Sequence, residues 1–404
     1  MGKHEEVKKK KATKKSEPEK LNNTAPETAG EESNDIFSSS TPQRASEKKA
    51  DGKKAKKRKK RMSPGKRALV AFVSTLLALA LLCGICFGGY TFLKNYYLRY
   101  VYVDMDEGNL GVNSENSQKH VINIALFGVD TRDGESMEGL SDSIMVLSIN
   151  KKTKEMKIVS FLRDSVVDVD GKLRKINSAY SRGGYELAIK TLNENFKLDI
   201  KEFATVNFGA MANLVDMVGG VEIEVTQGEI DDKVYGINAL IKEQSKITGV
   251  EPIYVNKPGL QKLDGIQAVA WARIRKSATA DGQRDDFGRT DRQREVLNQL
   301  FKKATKMNFL ELLSLVREFT PNVTTSLSEG EIIDLLPLIK GASLSSERIP
   351  KDYSWRIKGA NVGVSSGLYY DRDFARRILK AYLYEDIPFD QYIEENGITY
   401  VPWG

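Results

Sequence analysis

The 404-residue chain predicts a layered α/β fold with a mixed central sheet, carried behind one membrane-crossing helix. Three observations point there. Apolar strand-like runs alternate with stretches of helical periodicity beyond residue 120. Two of those runs are joined by the short polar turn Asn150-Lys151-Lys152-Thr153-Lys154, which demands an antiparallel pair and so excludes an all-parallel sheet. Upstream, Ala68 to Phe92 is 25 residues without a charge, long enough as a helix to cover about 37 Å.

Taken from the N-terminus, residues 1–67 carry 21 Lys and Arg against 10 Asp and Glu, whereas the remainder carries 41 against 45. The basic character therefore belongs to the tail. That tail is rich in Lys, Glu, Ser and Thr and poor in apolar residues, so it is expected to be disordered. Its run Lys53–Arg61 suits either nucleic acid or anionic lipid, and the apolar segment that follows favours lipid. Eight basic residues crowd Lys56–Arg67, while Asp104, Asp106 and Glu107 outnumber Lys94 and Arg99 on the far side. The positive-inside rule then predicts a cytoplasmic tail (1–67), a transmembrane helix (68–92) and an extracellular remainder, a single-pass type II protein of the cell membrane. A cleaved signal peptide fits poorly, because no small-x-small site follows the run. Residues 93–119, polar and Asn/Ser/Gly-rich toward their end, read as a stalk.

Strands are expected at Val121–Val129, Ser143–Ile149, Met156–Leu162, Phe203–Phe208 and Val221–Val225. Helices are expected at Tyr185–Phe196, Gly209–Val218, Asp264–Arg273, Thr290–Lys306 (with Thr290 as its cap), Phe309–Phe319, Glu329–Ile339 and Asp371–Tyr384.

The composition excludes several chemistries. Of two histidines only His120 lies beyond the tail, so a multi-His zinc site cannot form and a Ser-His-Asp triad would depend on that one residue. Cys83 and Cys86 both sit in the apolar run, leaving no disulfide framework or thiolate cluster. No Walker loop or GxGxxG occurs. Chemistry must come mostly from Asp, Glu, Arg, Lys and hydroxyls, with or without a metal ion.

Polar residues gather where strands end. The first strand leaves through Asp130, the second is entered through Ser141-Asp142-Ser143, and the third leaves through Arg163-Asp164. Were these strands neighbours, two carboxylates and a guanidinium would converge. Carboxylates that close need a proton or a cation between them, and Mg²⁺ favours one or two carboxylates with phosphate oxygens. A second cluster holds six arginines within Arg273–Arg294. Arg289 and Gln293 share a helix face, and Asp286 precedes them. Arg273 and Arg275 diverge on a regular helix, so the segment must fray for both to face one ligand. Guanidinium forks suit phosphate oxygens. The competing readings are loop-capping carboxylates and a solvated basic helix.

The ordered set Leu126-Phe127-Gly128-Val129-Asp130-Thr131-Arg132, Ser141-Asp142-Ser143, Phe161-Leu162-Arg163-Asp164, Lys175-Ile176-Asn177, Val206-Asn207-Phe208, Gly219-Gly220-Val221, Leu263-Asp264-Gly265, Ala270-Trp271-Ala272-Arg273-Ile274-Arg275 and Asp286-Phe287-Gly288-Arg289-Thr290-Asp291-Arg292-Gln293 resembles the LytR-CpsA-Psr family of Gram-positive cell-wall proteins, over roughly residues 119–345. The resemblance implies a three-layer αβα catalytic domain (120–345), with 346–404 a C-terminal extension packed on it, and an apolar pocket for a polyprenyl chain. It further implies a Mg²⁺-dependent (Mn²⁺ possible) phosphotransferase. The donor is an undecaprenyl-pyrophosphate-linked glycopolymer, the acceptor the N-acetylmuramic acid C6 hydroxyl of peptidoglycan; the membrane is the third partner and no nucleic acid is expected. Carried over by position, Asp130 and Asp142 match the metal-side acids, with Asp130 also the catalytic carboxylate. Arg163, Arg273, Arg275, Gln293 and Lys175 match head-group contacts, Arg163 and Arg275 counting as catalytic. Asp286 and Arg289 match a catalytic Asp-x-x-Arg. Ser143 stands where Thr is common, and Phe161-Leu162 replaces a frequent Ile-Pro. The acid of the Asp-x-x-Arg is assigned to Asp286 rather than Asp285 by the Phe-Gly-Arg that follows. The alternatives are a transcriptional attenuator acting through the basic tail, a non-catalytic wall-binding module, and a pyrophosphatase on the same lipid.

Overall fold

The computed structural model describes residues 63–96, 98–130, 139–352, 355, 357 and 363–396. The basic run Lys53–Arg61 and the motif residues Thr131 and Arg132 lie outside them. The apolar segment is one helix, α1 (Pro64–Tyr96), whose stretch Phe72–Thr91 has a mean hydropathy of 2.2 and is long and apolar enough to cross a membrane. Cys83 and Cys86 are exposed on it.

Beyond it lies a seven-stranded sheet. In chain order its strands are β1 (Val101–Tyr102), β2 (Val121–Val129), β3 (Ser141–Asn150), β4 (Glu155–Phe161), then β7 (Glu202–Asn207), β10 (Thr324–Thr325) and β11 (Ser343–Ile349). The spatial order is β1-β10-β7-β2-β3-β4-β11. β2 pairs antiparallel with β3 and β3 with β4, whereas β2–β7 and β4–β11 are parallel, so the sheet is mixed. Two small hairpins accompany it, β5–β6 (Val166–Val169 and Lys172–Lys175) and β8–β9 (Val221–Val225 and Gly259–Leu263).

Alternation along the strands divides the apolar residues between two faces. Ala125, Phe127 and Val129 pack with Val146, Val159 and Phe161 against α2 (Asn177–Phe196) and α10 (Arg372–Tyr384). Ile124 and Leu126 turn the other way, toward α7 (Asp285–Ala304) and α9 (Glu329–Ile339). The result is three layers, αβα. A satellite core lies under β8–β9, built with α3 (Phe208–Met217), α4 (Gln227–Asp231), α5 (Ile237–Thr248) and α6 (Gly265–Arg273). α8 (Phe309–Phe319) and α11 (Phe389–Glu395) complete the set.

The structure corrects several sequence expectations. The stalk does not stay free of the domain. Leu110 is fully buried in the main core with Val103, Met105 and Val112 against it, because a few apolar residues in a polar stretch suffice to dock it. The boundary drawn at 345/346 falls inside β11, and α10 contributes Phe374, Ile378 and Tyr382 to the same core as β2. α2 begins eight residues before the expected Tyr185, its first turns hidden by a kink at Gly183-Gly184, where Gly184 has φ 61°. Thr290 is no cap. α7 starts at Asp285, and the Thr290 hydroxyl donates to the Asp286 carbonyl within the helix.

Because β2, β4, β7 and β11 run the same way and β3 runs against them, one edge collects the ends of β2, β4 and β7 and the start of β3. Asp130, Arg163, Phe208 and Asp142 all sit there.

Candidate active site

A β-bulge sets the first carboxylate. Gly128 pairs with Ser143 but Val129 pairs with Ser141, which leaves Asp142 as the extra, unpaired residue. Such a bulge re-aims a side chain out of the pleat. Asp142 Oδ1 accepts a hydrogen bond from Arg163 Nη1 at 2.6 Å, and Oδ2 accepts one from Arg289 Nη1 at 3.3 Å. Arg163 is delivered by the chain leaving β4.

The Arg273-Ile274-Arg275 segment solves its spacing problem by ending a helix. α6 stops at Arg273, and Ile274 is extended (φ −61°, ψ 134°), so both guanidiniums reach one cavity. Arg273 lies 5.0 Å over the Phe208 ring and within 3.9 Å of Asp130 Oδ2. Its outer side bonds Glu243 and Gln244 on α5.

Asp286 is the buried hub. Its carboxylate is 3.3 Å from Arg163 Nε, 3.0 Å from Arg275 Nε and 3.4 Å from Arg289 Nη2. Asp285 points out and pairs with Lys276. Burial alone would raise the Asp286 pKa. Arg289, a hydrogen bond from Asp164, Arg163 and Arg275 outweigh it and hold the carboxyl at about 2. Asp164 moves the opposite way, raised by burial and by the hydrogen bond with Asp286. Burial also lowers the pKa of Arg289, whose Nε has no hydrogen-bond partner among the described residues.

Asp130, Asp142, Arg163, Arg273, Arg275, Arg289 and Gln293 line a single cavity of about 190 Å³, together with Phe208, Tyr235 and Leu240. Four guanidiniums thus face two carboxylates, a wall suited to an anion of more than one charge. Against it lies an apolar cavity of about 250 Å³ between the sheet and α3, α6, α7 and α8, lined by residues such as Leu126, Met145, Met211, Leu214 and Val296. Phe208, Arg273 and Gln293 belong to both and form the partition.

Asp286 lies behind this wall, in ion-pair contact with three of its arginines. Lys175 is not in the charged cavity. It pairs with Asp164 at 2.9 Å and lines a neighbouring cleft. Residue type alone gives Phe208, Tyr235 and Asp164 no role. Phe208 and Asp164 lie in the segments Val206-Asn207-Phe208 and Arg163-Asp164, whereas Tyr235 sits in a turn whose sequence carries no signal.

Among the described residues no group of three or more His, Cys, Asp or Glu stands close enough to hold a metal by itself. Two carboxylates on one cavity wall are a donor set that Mg²⁺ takes when substrate phosphates supply the remaining oxygens. The residues fit such an ion in company with a diphosphate.

In this three-layer α/β domain an apolar cavity shares lining residues with a guanidinium- and carboxylate-lined one, an arrangement suited to an amphiphilic anion. The comparisons agree: residues 99–372 match the LytR_cpsA_psr family, and the chain belongs to it. It is 29% identical over 318 residues, 76% of each chain, to the polyisoprenyl-teichoic acid–peptidoglycan teichoic acid transferase TagV of Bacillus subtilis (strain 168). It is 30% identical over 271 residues, 66% of this chain and 78% of the relative, to TagU of Bacillus anthracis, which bears the corresponding transferase name. The fold matches the crystal structure of B. subtilis TagT at a TM-score of 0.52 and 24% identity, covering 70% of this chain and 99% of that one. A TagT structure with bound octaprenyl pyrophosphate lipid matches at 0.50 and 23%, with the same coverage.

Proposed function

We propose that the chain is a phosphotransferase of the outer membrane face that moves a glycopolymer from an undecaprenyl diphosphate carrier to a peptidoglycan hydroxyl, normally the N-acetylmuramic acid C6 hydroxyl. The observation that carries this reading is the shared partition of Phe208, Arg273 and Gln293. An isoprenoid tail and a diphosphate head are joined by one bond, and the two cavities are joined the same way. The transferase names of TagV and TagU and the octaprenyl pyrophosphate in the TagT structure support it. The basic residues before α1 support an extracellular domain.

In this reading Arg163, Arg273, Arg275 and Arg289 bind the diphosphate oxygens and neutralise charge that grows on the departing lipid phosphate. Asp286 keeps Arg163, Arg275 and Arg289 from swinging away. Asp130 and Asp142 would hold Mg²⁺, or Mn²⁺ in its place, which supplies further neutralisation of the phosphate oxygens. The acceptor hydroxyl oxygen bonds the sugar-bearing phosphorus, and Asp130 takes its proton. The bond from that phosphorus to the bridging oxygen breaks, polyprenyl phosphate leaves, and a glycan–phosphodiester remains. The diphosphate linkage itself drives the reaction, so no nucleotide is needed.

The test is a purified transfer assay with a synthetic polyprenyl diphosphate glycan, uncrosslinked peptidoglycan strands and Mg²⁺, read by mass spectrometry of muramidase digests. A phosphodiester-linked glycan is expected. Free phosphorylated glycan alone, with acceptor present, would instead make the protein a pyrophosphatase.

A further inference from the structure

Three hollows lie in a row along the active edge. The apolar cavity shares Phe208, Arg273 and Gln293 with the charged cavity, and the charged cavity shares Arg163 with an open cleft of about 580 Å³. The guanidinium of Arg163 is thus a wall between two spaces. It is held by Asp142 on one carboxylate and Asp286 on the other.

The direction of displacement at phosphorus gives this row a meaning. In phosphoryl transfer the entering and leaving oxygens lie roughly in line, and the other ester oxygen lies across that line. With the lipid in the apolar cavity, the leaving phosphate sits at the Arg273–Gln293 partition. The entering hydroxyl must then come from a side away from that partition, and the open cleft that shares Arg163 with the charged cavity offers such a route. The donor sugar, attached across the line, leaves the charged cavity by another route.

The cleft has the chemistry of a saccharide surface. Leu140 and Leu173 are 48% and 41% exposed on it, apolar platforms of the kind that the C–H faces of sugar rings cover. Beside them stand Arg174, Asn177 and Ser178. Arg174 makes no ion pair or side-chain hydrogen bond among the described residues, so its donors are available. Lys175 is committed to Asp164, which is itself hydrogen-bonded to Asp286, tying the cleft floor to the arginine hub.

We infer that this cleft, bounded by Leu140, Leu173 and Arg174, holds the acceptor: an N-acetylated glycan strand carrying a carboxylate-bearing substituent, its primary hydroxyl entering past Arg163. The inference rests on the transferase reading above and adds to it the place and chemistry of the second substrate.

Leu173→Glu and Arg174→Glu test it, since both residues lie on the small β5–β6 hairpin outside the diphosphate machinery. The full-length protein in detergent is assayed with a defined polyprenyl diphosphate donor and synthetic uncrosslinked N-acetylglucosamine–N-acetylmuramic acid oligomers. Acceptor KM is expected to rise on the order of tenfold in each variant. Donor KM, donor hydrolysis without acceptor and the thermal midpoint are expected to stay unchanged. A rise in donor KM instead assigns the cleft to the donor polymer and overturns the inference, as does an unaltered acceptor KM. If the wild type itself forms no acceptor-linked product, the transferase reading fails first and takes the acceptor cleft with it.

Discussion

Two guanidinium clusters grow from α7 three residues apart, and they have opposite characters. Arg292 is fully buried with Glu229, donating from Nε at 2.7 Å, and its Nη1 and Nη2 donate to the carbonyls of Ile274 (3.1 Å) and Ser277 (2.9 Å). It also lies 5.7 Å over the Trp271 ring. Charge is matched one to one and the donors are used. Arg289, one turn earlier, joins Arg163, Arg273 and Arg275 around two cavity-lining carboxylates, with its own Nε unpartnered. The closed cluster holds the backbone on both sides of Arg275. The open one retains positive charge and donors for a ligand. A buried ion pair that is complete serves as scaffold; one that is incomplete on the protein side serves as a binding surface.

Breaking the closed cluster is expected to have the largest effect. Arg292→Met leaves Glu229 buried without its partner and should cost about 3–5 kcal/mol of stability, read as a lowered denaturant midpoint. Opening the other cluster should separate function from folding. Arg275→Ala, at a side chain 40% exposed, is expected to leave the midpoint nearly unchanged while transfer loses about 2–4 kcal/mol of transition-state stabilisation. Near-normal transfer by that variant in a purified Mg²⁺ assay would remove Arg275 from the diphosphate site.

A pH series sharpens the contrast. The Asp286 carboxyl is held at about 2, below its ordinary value of 3.8, so its ionisation stabilises the fold above pH 4 and that gain is lost as pH falls toward 2. Asp286→Asn should therefore sit on the order of 2 kcal/mol below wild type at neutral pH, with the gap closing across that window. A gap that stays constant down to pH 2 means the carboxylate does not depend on its arginines. The smallest change expected is in the apolar cavity. A Cβ at Gly128 would lie 2.9 Å from Ser143 Cβ, so Gly128→Ala must push the bulge strand and narrow the apolar cavity. Polyprenyl diphosphate affinity should weaken by about 1 kcal/mol, measured by titration.

Much of this was legible before any coordinates. β2 spans the expected Val121–Val129, the hairpin at Asn150–Lys154 joins β3 to β4, and α8 and α9 match their expected ranges. These elements carry strong periodicity or a turn with clear chemistry. β5, β6 and β10 carried no such signal, because two-residue and four-residue strands are too short for alternation. The Asp130/Asp142/Arg163 convergence followed from neighbouring strand ends, but the bulge that turns Asp142 toward Arg163 did not, since a bulge depends on the register between two strands. Lys175 shows the same limit. Its motif placed it near the head group, and the fold of the β5–β6 hairpin placed it one hollow away, on Asp164.

The amino-acid order by itself determined the apolar helix, the layered α/β class, the exclusion of multi-histidine and thiolate metal sites from the folded domain, and the short list of acids and arginines available for a site. Those follow from composition and from periodicities that act within a dozen residues. Only the tertiary structure decided which of the guanidiniums are closed off and which remain open, where the apolar cavity meets them, and on which side of Arg163 a further cleft lies. Each of these depends on residues far apart in the chain being brought to one edge of a sheet, and burial and distance, not residue type, then set the charge balance they feel.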